Sequence, residues 1–254
     1  MGRCHADSVP CVESIEAFLR AAAGFVVAGL ELEAEPSAVG AAQRSLDDSG
    51  LLLLGEVHGV RENPLLIRAL MQVLGLTSLA LEWPDDLAPV VAAFLAGETL
   101  ADHPMLWSGD GRITAGHLTV LAERAAAGPL ELTLFDGTME AGRNWSQRDE
   151  AMAARILAGG AARNRTLAVA GNAHTPVSPT ELGVPMGACL TRSRPGVREI
   201  RINYGGGYYY NLRPGRFARA GPRGRQARFY LQDDALVLDL PSASEAVVPQ
   251  RPWP

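Results

Sequence analysis

The chain contains no lysine, and all 23 of its basic side chains are arginine. Catalysis through a lysine Schiff base is therefore excluded, as is the lysine with which P-loop proteins hold nucleotide phosphates. The sequence also has no glycine-rich loop of that type in front of a predicted helix. Kinases and P-loop nucleotide hydrolases thus fall outside the classes of protein that this sequence can encode.

Cysteine is scarce, and the charge is modest. The three cysteines lack close metal-ligand spacing, so we predict neither a disulfide framework nor a zinc ribbon, and we expect Cys189 to be buried. The net charge of -5 argues against nonspecific binding of nucleic acid. No apolar run is long enough to span a bilayer, and the first residues lack the apolar core of a secretory signal. We therefore expect a cytoplasmic protein with no nucleic-acid or membrane partner.

The length of 254 residues and the hydrophobic content of 47% allow one large domain with a substantial core. The pattern predicts an α/β fold with a mainly parallel central sheet flanked by helices, followed by a C-terminal β-hairpin extension. We assign residues 1–248 to a single catalytic domain and residues 249–254 to a disordered, proline-rich tail. The sequence does not determine the oligomeric state.

Four consecutive leucines, residues 51–54, form the strongest strand signal in the chain. A continuous apolar run of this length is typical of a parallel strand that is covered on both faces. Gly55, Glu56 and His58 follow immediately, so the run ends in ionisable side chains. Open α/β sheets bind ligands at the carboxyl ends of their strands. The segment therefore predicts a strand that presents chemical groups to a site.

The same pattern recurs three times. Short apolar runs over residues 78–82, 132–136 and 166–174 end in Glu82, Asp136 and His174. If all four strands are parallel, their carboxyl ends share one edge of the sheet. We therefore expect these side chains to meet Glu56 and His58 there.

Two mechanisms fit this set of residues. A histidine held by a carboxylate can act as a base that takes a proton from water near neutral pH. The alternative is a divalent metal, with His58, Glu82 and His174 as its ligands. Sequence alone leaves both open, and the catalytic candidates are Glu56, His58, Glu82 and His174 in either case.

Other residues are candidates for substrate binding. Arg61 and Glu62 follow the first strand, and Arg148 lies at the start of a predicted helix that faces the same edge, where a guanidinium can hold an anionic group. Tyr208 belongs to a basic segment, residues 192–228, with ten arginines and one acid. Residues 197–204 of this segment alternate like a strand; we predict the rest to be mainly a solvated loop, and an anion-binding flap is the alternative. Asp136 completes the set of substrate-binding candidates.

The sequence resembles a known superfamily at several of these positions. The segment from Gly55 to Gly59 with Glu62, the pair Leu81-Glu82, the helix start Arg148-Asp149 and the segment from Gly171 to His174 are similar to the erythromycin esterase-like superfamily. That superfamily also includes ChaN-like haem-binding lipoproteins and TIKI-type metal-dependent proteases. The resemblance implies that His58 is the base and that Glu56, Glu82 and His174 organise the site.

From these residues and this resemblance we expect an enzyme that acts on an ester or related acyl bond of a small natural product or modified peptide. Three alternatives remain: a metal-dependent hydrolase that uses the same residues, a haem- or ligand-binding protein without turnover, and a tailoring enzyme that transfers or cyclises an acyl group. We expect no cofactor; a divalent metal is the first alternative and haem the second.

Overall fold

A computed structural model of the chain describes residues 11–27, 30–137, 144–159, 164–218 and 226–250. Within these ranges the helices are α1 (Ile15–Ala23), α2 (Pro36–Ser49), α3 (Asn63–Leu74), α4 (Ala88–Leu95), α5 (Ala115–Ala127), α6 (Trp145–Ala158) and α7 (Met186–Ser193). The strands are β1 (Cys11–Val12), β2 (Leu32–Ala34), β3 (Leu51–Glu56), β4 (Ser78–Pro84), β5 (Glu131–Asp136), β6 (Thr166–Gly171), β7 (Arg198–Tyr204), β8 (Gly207–Asn211), β9 (Arg213–Phe217), β10 (Ala227–Gln232), β11 (Ala235–Leu240) and β12 (Val248–Pro249).

The central sheet of the described chain has eight strands in the order β2-β10-β11-β7-β3-β6-β4-β5. Strands β11, β7, β3, β6, β4 and β5 run parallel to one another, and β10 is antiparallel to β11. The predicted α/β fold with a mainly parallel sheet is thus confirmed. The predicted C-terminal hairpin is β10–β11, and it joins the sheet itself through β11 and β7.

Strand β3 lies at the centre of the core, and every one of its residues is buried. Leu52 and Leu54 face a hydrophobic cluster that includes residues of α1, α2, α3 and α5. Leu51 and Leu53 face a second cluster, which includes residues of α6 and α7. Burial of one leucine side chain contributes roughly 1.5–3 kcal/mol. Helices therefore cover both faces of the sheet at β3, and the end of that strand is left to contribute to a site.

Local signals fix the start of two helices near the site. Helix α5 begins after Thr114, whose side chain accepts a hydrogen bond from the backbone N–H of His117. Helix α6 begins with a capping box in which Asn144 and Gln147 bond to each other's backbone. Such caps satisfy N–H groups that have no partner inside the helix.

The structure differs from the sequence-based expectation in two segments. Strand β2 is not predicted from the sequence, because its three residues carry a weak apolar pattern and it is ordered by pairing with β10. Much of the basic segment 192–228 is predicted to be a loop, but β8 and β9 pair as an antiparallel hairpin between residues 207 and 217. That part of the loop prediction is wrong, and residues 219–225 of the segment lie outside the described residues.

The two ends of the described chain pair with each other. Strand β1 pairs in parallel with β12, so that Cys11 lies beside Val248 and Val12 beside Pro249. The backbone N–H of Gln250 also donates to Val12. The predicted tail therefore does not start at residue 249, and residues 251–254 lie outside the described residues. Among the described helices, none combines the length and apolarity needed to cross a membrane.

Candidate functional site

The carboxyl ends of β3, β6, β4 and β5 bring together a cluster of ionisable side chains. Glu56 ends β3, Glu82 lies near the end of β4, and Asp136 ends β5; all three are buried. His174 follows β6 after a short turn and is also buried. His58 follows β3, and 12% of its side chain is exposed. The expected convergence on one edge of the sheet is present in the structure.

Glu82 is the centre of this cluster. One of its oxygens, Oε2, accepts a 2.7 Å hydrogen bond from the backbone N–H of Gly171, and the other, Oε1, accepts a 2.9 Å bond from Arg148. The Nε2 atoms of His58 and His174 each lie 3.7 Å from a Glu82 oxygen. The pairing of β4 with β5 shifts register between Leu81 and Pro84. Irregular pairing of this kind often re-aims a side chain beside a functional site.

Gly171 is required by the close approach of these groups. A Cβ atom at this position would lie 3.1 Å from Nε2 of His58 and 3.5 Å from Oε2 of Glu82. A larger residue would push the imidazole away from the strand end. The glycine therefore lets the backbone N–H and the imidazole reach the same carboxylate.

Two arginines hold the carboxylates of the cluster. Arg148 donates to both oxygens of Asp136, at 3.3 Å from Nε and 2.9 Å from Nη2, and also to Glu82. Arg112 bonds to Asp136 as well, and its Nη1 atom lies 3.5 Å from Glu82. Asp110 fixes the other side of Arg112 through a 2.6 Å bond from Nε. Planar guanidinium groups suit such bridging of oxygen pairs.

His174 is fixed on three sides. Its Nδ1 atom lies 2.8 Å from Asp149, which is fully buried and accepts a second hydrogen bond from the backbone N–H of Met186. Its Nε2 atom lies 3.2 Å from Arg148. A guanidinium can only donate, so in this contact Nε2 accepts the hydrogen bond. The ring proton is therefore on Nδ1, which donates a hydrogen bond to Asp149. The ring of Trp145 stacks on the imidazole at 4.3 Å.

His58 has a different electrostatic environment, because it lies between two carboxylates. Its Nδ1 atom is 3.3 Å from Glu56, and its Nε2 atom faces Glu82. Burial opposes the charged form of the ring, but the hydrogen bond with Glu56 and the negative charge of Glu82 outweigh it and raise the pKa of His58. His58 therefore holds its proton to higher pH than an ordinary histidine does.

Glu82 remains ionised over the whole range in which His58 titrates. Burial alone would raise the pKa of Glu82, but the neighbouring His58, Arg112 and Arg148 lower it to about 2. A carboxylate with this pKa does not donate a proton near neutral pH. Its contribution to a reaction is therefore electrostatic.

The residues of the cluster do not fit a divalent metal. In the part of the chain that the structure describes, no three His, Cys, Asp or Glu side chains are placed so that they could hold a metal ion. The oxygens that would bind such an ion already accept bonds from Arg112 and Arg148. Two guanidinium groups thus supply the positive charge that a metal would bring.

Three of the expected substrate-binding residues make their contacts elsewhere. The guanidinium of Arg61 lies over the ring of Phe25 at 5.3 Å. Glu62 accepts a 2.9 Å hydrogen bond from the backbone N–H of Ser244. Tyr208 is half exposed, and Arg216 lies 5.7 Å from the centre of its ring. The contacts of Arg61 and Glu62 tie the loop after β3 to neighbouring segments, and that of Tyr208 lies within the β8–β9 hairpin, whereas Asp136 and Arg148 lie inside the cluster.

The β8–β9 hairpin supports the loop that carries His58. The backbone N–H of Tyr210 donates to Gly59, and that of Gly59 donates to Gly111. Gly59 has a φ of +72°, and a Cβ atom there would collide with the carbonyl oxygen of Tyr210. Glycine is therefore needed at this position for both its conformation and its lack of a side chain.

Sequence reasoning missed three residues of the site. Asp149 is adjacent to Arg148, but its position on the helix gave no sign that it faces His174. Arg112 ends a loop-like segment, residues 102–112, which the sequence predicts could fold over the site, but no local pattern marks the arginine itself as a site residue. Sequence reasoning sets His117 aside as a histidine near a loop, although the sequence predicts a helix over residues 115–127; it is buried on that helix, α5, and lines a small cavity with Glu56 and His58.

Fold and site together define an α/β protein with a buried histidine, carboxylate and arginine cluster at the carboxyl edge of a parallel sheet. No protein-family model matches the chain, and the search of curated proteins gave no match. Among solved structures, the chain is similar to the type III effector HopBA1, with a TM-score of 0.50, 15% identity, and coverage of 85% of this chain and 97% of that one. At this identity the likeness shows the fold alone.

Two further structures, both described as bacterial protein toxins, give TM-scores of 0.43 and 0.45. Their identities are 22% and 21%, and the matches cover 62% and 74% of this chain. The matches span only 35% and 38% of the toxin chains.

Proposed function

We propose that the protein is an enzyme that hydrolyses or transfers an ester or related acyl bond of a small molecule or modified peptide, with His58 as the group that moves the proton. The observation that carries this proposal is the placement of His58 between Glu56 and Glu82 with part of its ring exposed. Its neighbours are poorly suited to proton transfer, because Glu82 stays ionised and both ring nitrogens of His174 are engaged.

In this mechanism Glu56 orients the imidazole through Nδ1, so Nε2 takes a proton from water or from another hydroxyl nucleophile. Glu82 stabilises the imidazolium that forms. Arg148, held by Asp136 and next to His174, stabilises negative charge that develops on the acyl oxygen. His58 then returns its proton to the leaving group. Because the pKa of His58 is raised, the unprotonated base forms at a higher pH than it would for an ordinary histidine, and activity should rise as the pH increases through that pKa.

We propose further that this chemistry needs no resident metal. The support is the pair of guanidinium groups that occupies the carboxylate oxygens of the cluster. The resemblance to esterase-like proteins in the segments 55–59 and 171–174 is consistent with a histidine base.

The test measures release of the alcohol from fluorogenic acetyl, butyryl and lactone substrates and transfer to an added amine or alcohol acceptor. We expect turnover by the wild type and a loss of about 10²–10⁴-fold in His58→Gln, the usual contribution of a general base. His103→Gln is the matched control, because His103 caps its own short helix, residues 104–107, and should keep full activity. Equal activity of His58→Gln and the wild type would refute the role of His58, and absence of turnover on all acyl substrates would refute the class of reaction.

A further inference from the structure

A buried oxygen atom of the site lacks a partner. Glu56 is 3% exposed, and its Oε1 atom contacts His58, but its Oε2 atom is fully buried and has no hydrogen-bond partner among the described residues. Leaving a buried charged acceptor unpaired costs free energy, so such an atom is normally bonded to protein or to ordered water.

This oxygen belongs to a residue that lines a small cavity. The cavity measures about 10 Å³, which is close to the smallest space that holds one water molecule. Its polar and aromatic lining is formed by Glu56, His58, Glu82, Trp83, Arg112 and His117. A cavity of this size with charged walls suits a single small polar ligand.

His117 lines this cavity and has no role in the proposed mechanism. It is 3% exposed, and its Nδ1 atom lies 2.9 Å from the hydroxyl of Thr114. Of its two ring nitrogens, Nε2 is thus the one that can serve a ligand in the cavity. The edge of Trp83 holds the ring in place at 5.8 Å.

We propose that this cavity binds one water molecule, which donates a hydrogen bond to Oε2 of Glu56 and bonds to Nε2 of His117, and that His117 is thereby a positioning residue for the Glu56–His58 pair. The water completes the hydrogen bonds of the carboxylate that orients His58. His117 acts through the water and Glu56, and it does not touch the reacting atoms. The inference rests on the geometry of the cavity and holds whether or not the protein acts on acyl bonds.

Burial lowers the pKa of His117, so the ring is neutral in the range where His58 titrates. The charged groups that face the pair are Glu82 on β4 and Arg112 in the loop before α5, and the neutral hydroxyl of Tyr204, at the end of β7, lies near Glu56. Replacing His117 by a neutral residue therefore changes no charge and removes only its hydrogen bond.

The first experiment is a crystal structure of the whole chain at high resolution. We expect an ordered water within hydrogen-bond distance, about 2.6–3.2 Å, of both Oε2 of Glu56 and Nε2 of His117. A direct bond between the two side chains, or well-ordered density with no water between them, would overturn the proposal.

The second experiment follows the ring of His58 by NMR through a pH titration. In His117→Leu the water loses its second partner, Glu56 carries its charge less readily, and the pKa of His58 falls by about one unit, a tenfold change in proton affinity. His117→Gln restores a polar partner and should recover most of the wild-type value.

Val169→Ala is the matched control for the titration, because Val169 lines the same cavity without a polar group. It should leave the pKa of His58 unchanged. Equal titration of His58 in His117→Leu and the wild type, or an equal shift in Val169→Ala, would show that His117 is merely structural. If His117→Leu does not fold, the electron density of the wild type decides whether the water is present. The titration of His58 is then compared between His117→Gln and Val169→Ala.

Discussion

His58 gives the site a pH dependence that can be measured without a substrate. A histidine whose pKa is higher in the folded state than in the unfolded state stabilises the fold fully below the unfolded value of about 6.5, and this contribution is lost as pH rises through the folded value. We therefore expect the free energy of unfolding to fall with pH above about 6.5 more steeply in the wild type than in His58→Gln.

Urea unfolding at a series of pH values between about 5 and 9 checks this difference, since each unit of pKa shift corresponds to about 1.4 kcal/mol. Glu56→Gln should reduce the pH dependence, because the carboxylate that raises the pKa of His58 is gone. If the free energy of unfolding changed with pH equally in the wild type and His58→Gln, the raised pKa of His58 would be contradicted.

At the scale of residues, the sequence predicted the side chains that end strands and missed those that depend on tertiary placement. Glu56, Glu82 and Asp136 were found because each closes a buried apolar run. Asp149 was missed since a carboxylate in the first turn of a helix is usually a solvated or capping group. Arg112 is held by Asp110 and by the backbone carbonyl of Glu82 on β4. The local sequence pattern predicts neither contact.

Helix α6 carries Arg148 and Asp149 into the site, so its cap controls their position. We expect Asn144→Ala to lower the free energy of unfolding by about 1 kcal/mol, as is usual for the loss of an N-cap. It should also shift the ring NMR signals of His174, because both of its polar partners lie in the first turns of α6.

Ser14→Ala is the control, because Ser14 caps α1 in the same way but far along the chain from these residues. Its stability loss should be similar and the His174 signals unchanged. The same shift of His174 in both variants would mean that the cap of α6 has no special effect on the site.

The β8–β9 hairpin is the element that the sequence described least well, since glycine and proline are dense there and favour a loop. Its pairing is set by contacts with Gly59 and Gly111, which belong to distant parts of the chain. We expect Gly59→Ala to destabilise the protein by about 1–3 kcal/mol beyond the cost of a positive φ, because the methyl group collides with Tyr210.

Gly75→Ala measures that cost alone, because Gly75 has a φ of +65° and a Cβ atom added there would have no neighbouring atom within 4 Å. The free energy of unfolding of Gly75→Ala should be lower than that of the wild type by about 1–2 kcal/mol. Thermal or urea unfolding of the two variants gives the difference. Equal losses would show that the hairpin can move away from the loop after β3 at little cost.

At the scale of the whole molecule, the order of the strands determines the site. Strands β3, β6, β4 and β5 are adjacent and parallel, so residues separated by more than a hundred positions meet at one edge. The sequence predicted that these residues meet, because four buried apolar runs that each end in a polar residue are typical of parallel strands in an α/β sheet. The edge strand β2 was missed because its pairing with β10 depends on the far end of the chain.

Charge balance in the cluster leads to a prediction about the purified protein. Oxygens of Glu82 and Asp136 accept hydrogen bonds from Arg112 and Arg148, so a divalent cation bound there would have to displace a guanidinium group. We expect mass spectrometry to find less than one equivalent of metal per chain, with equal content in the wild type, His58→Ala and His174→Ala. One bound metal that disappears in both variants would contradict this expectation.

The pairing of β1 with β12 has a consequence for the connectivity of the chain. Residues 11–12 and 248–249 are neighbours, so a short linker between them would close the described chain into a ring. The turn after α4, at Gly97 and Glu98, is exposed and offers a place to open that ring. Such a circular permutant would keep every strand neighbour of the central sheet, and with it the meeting point of His58, Glu82 and His174.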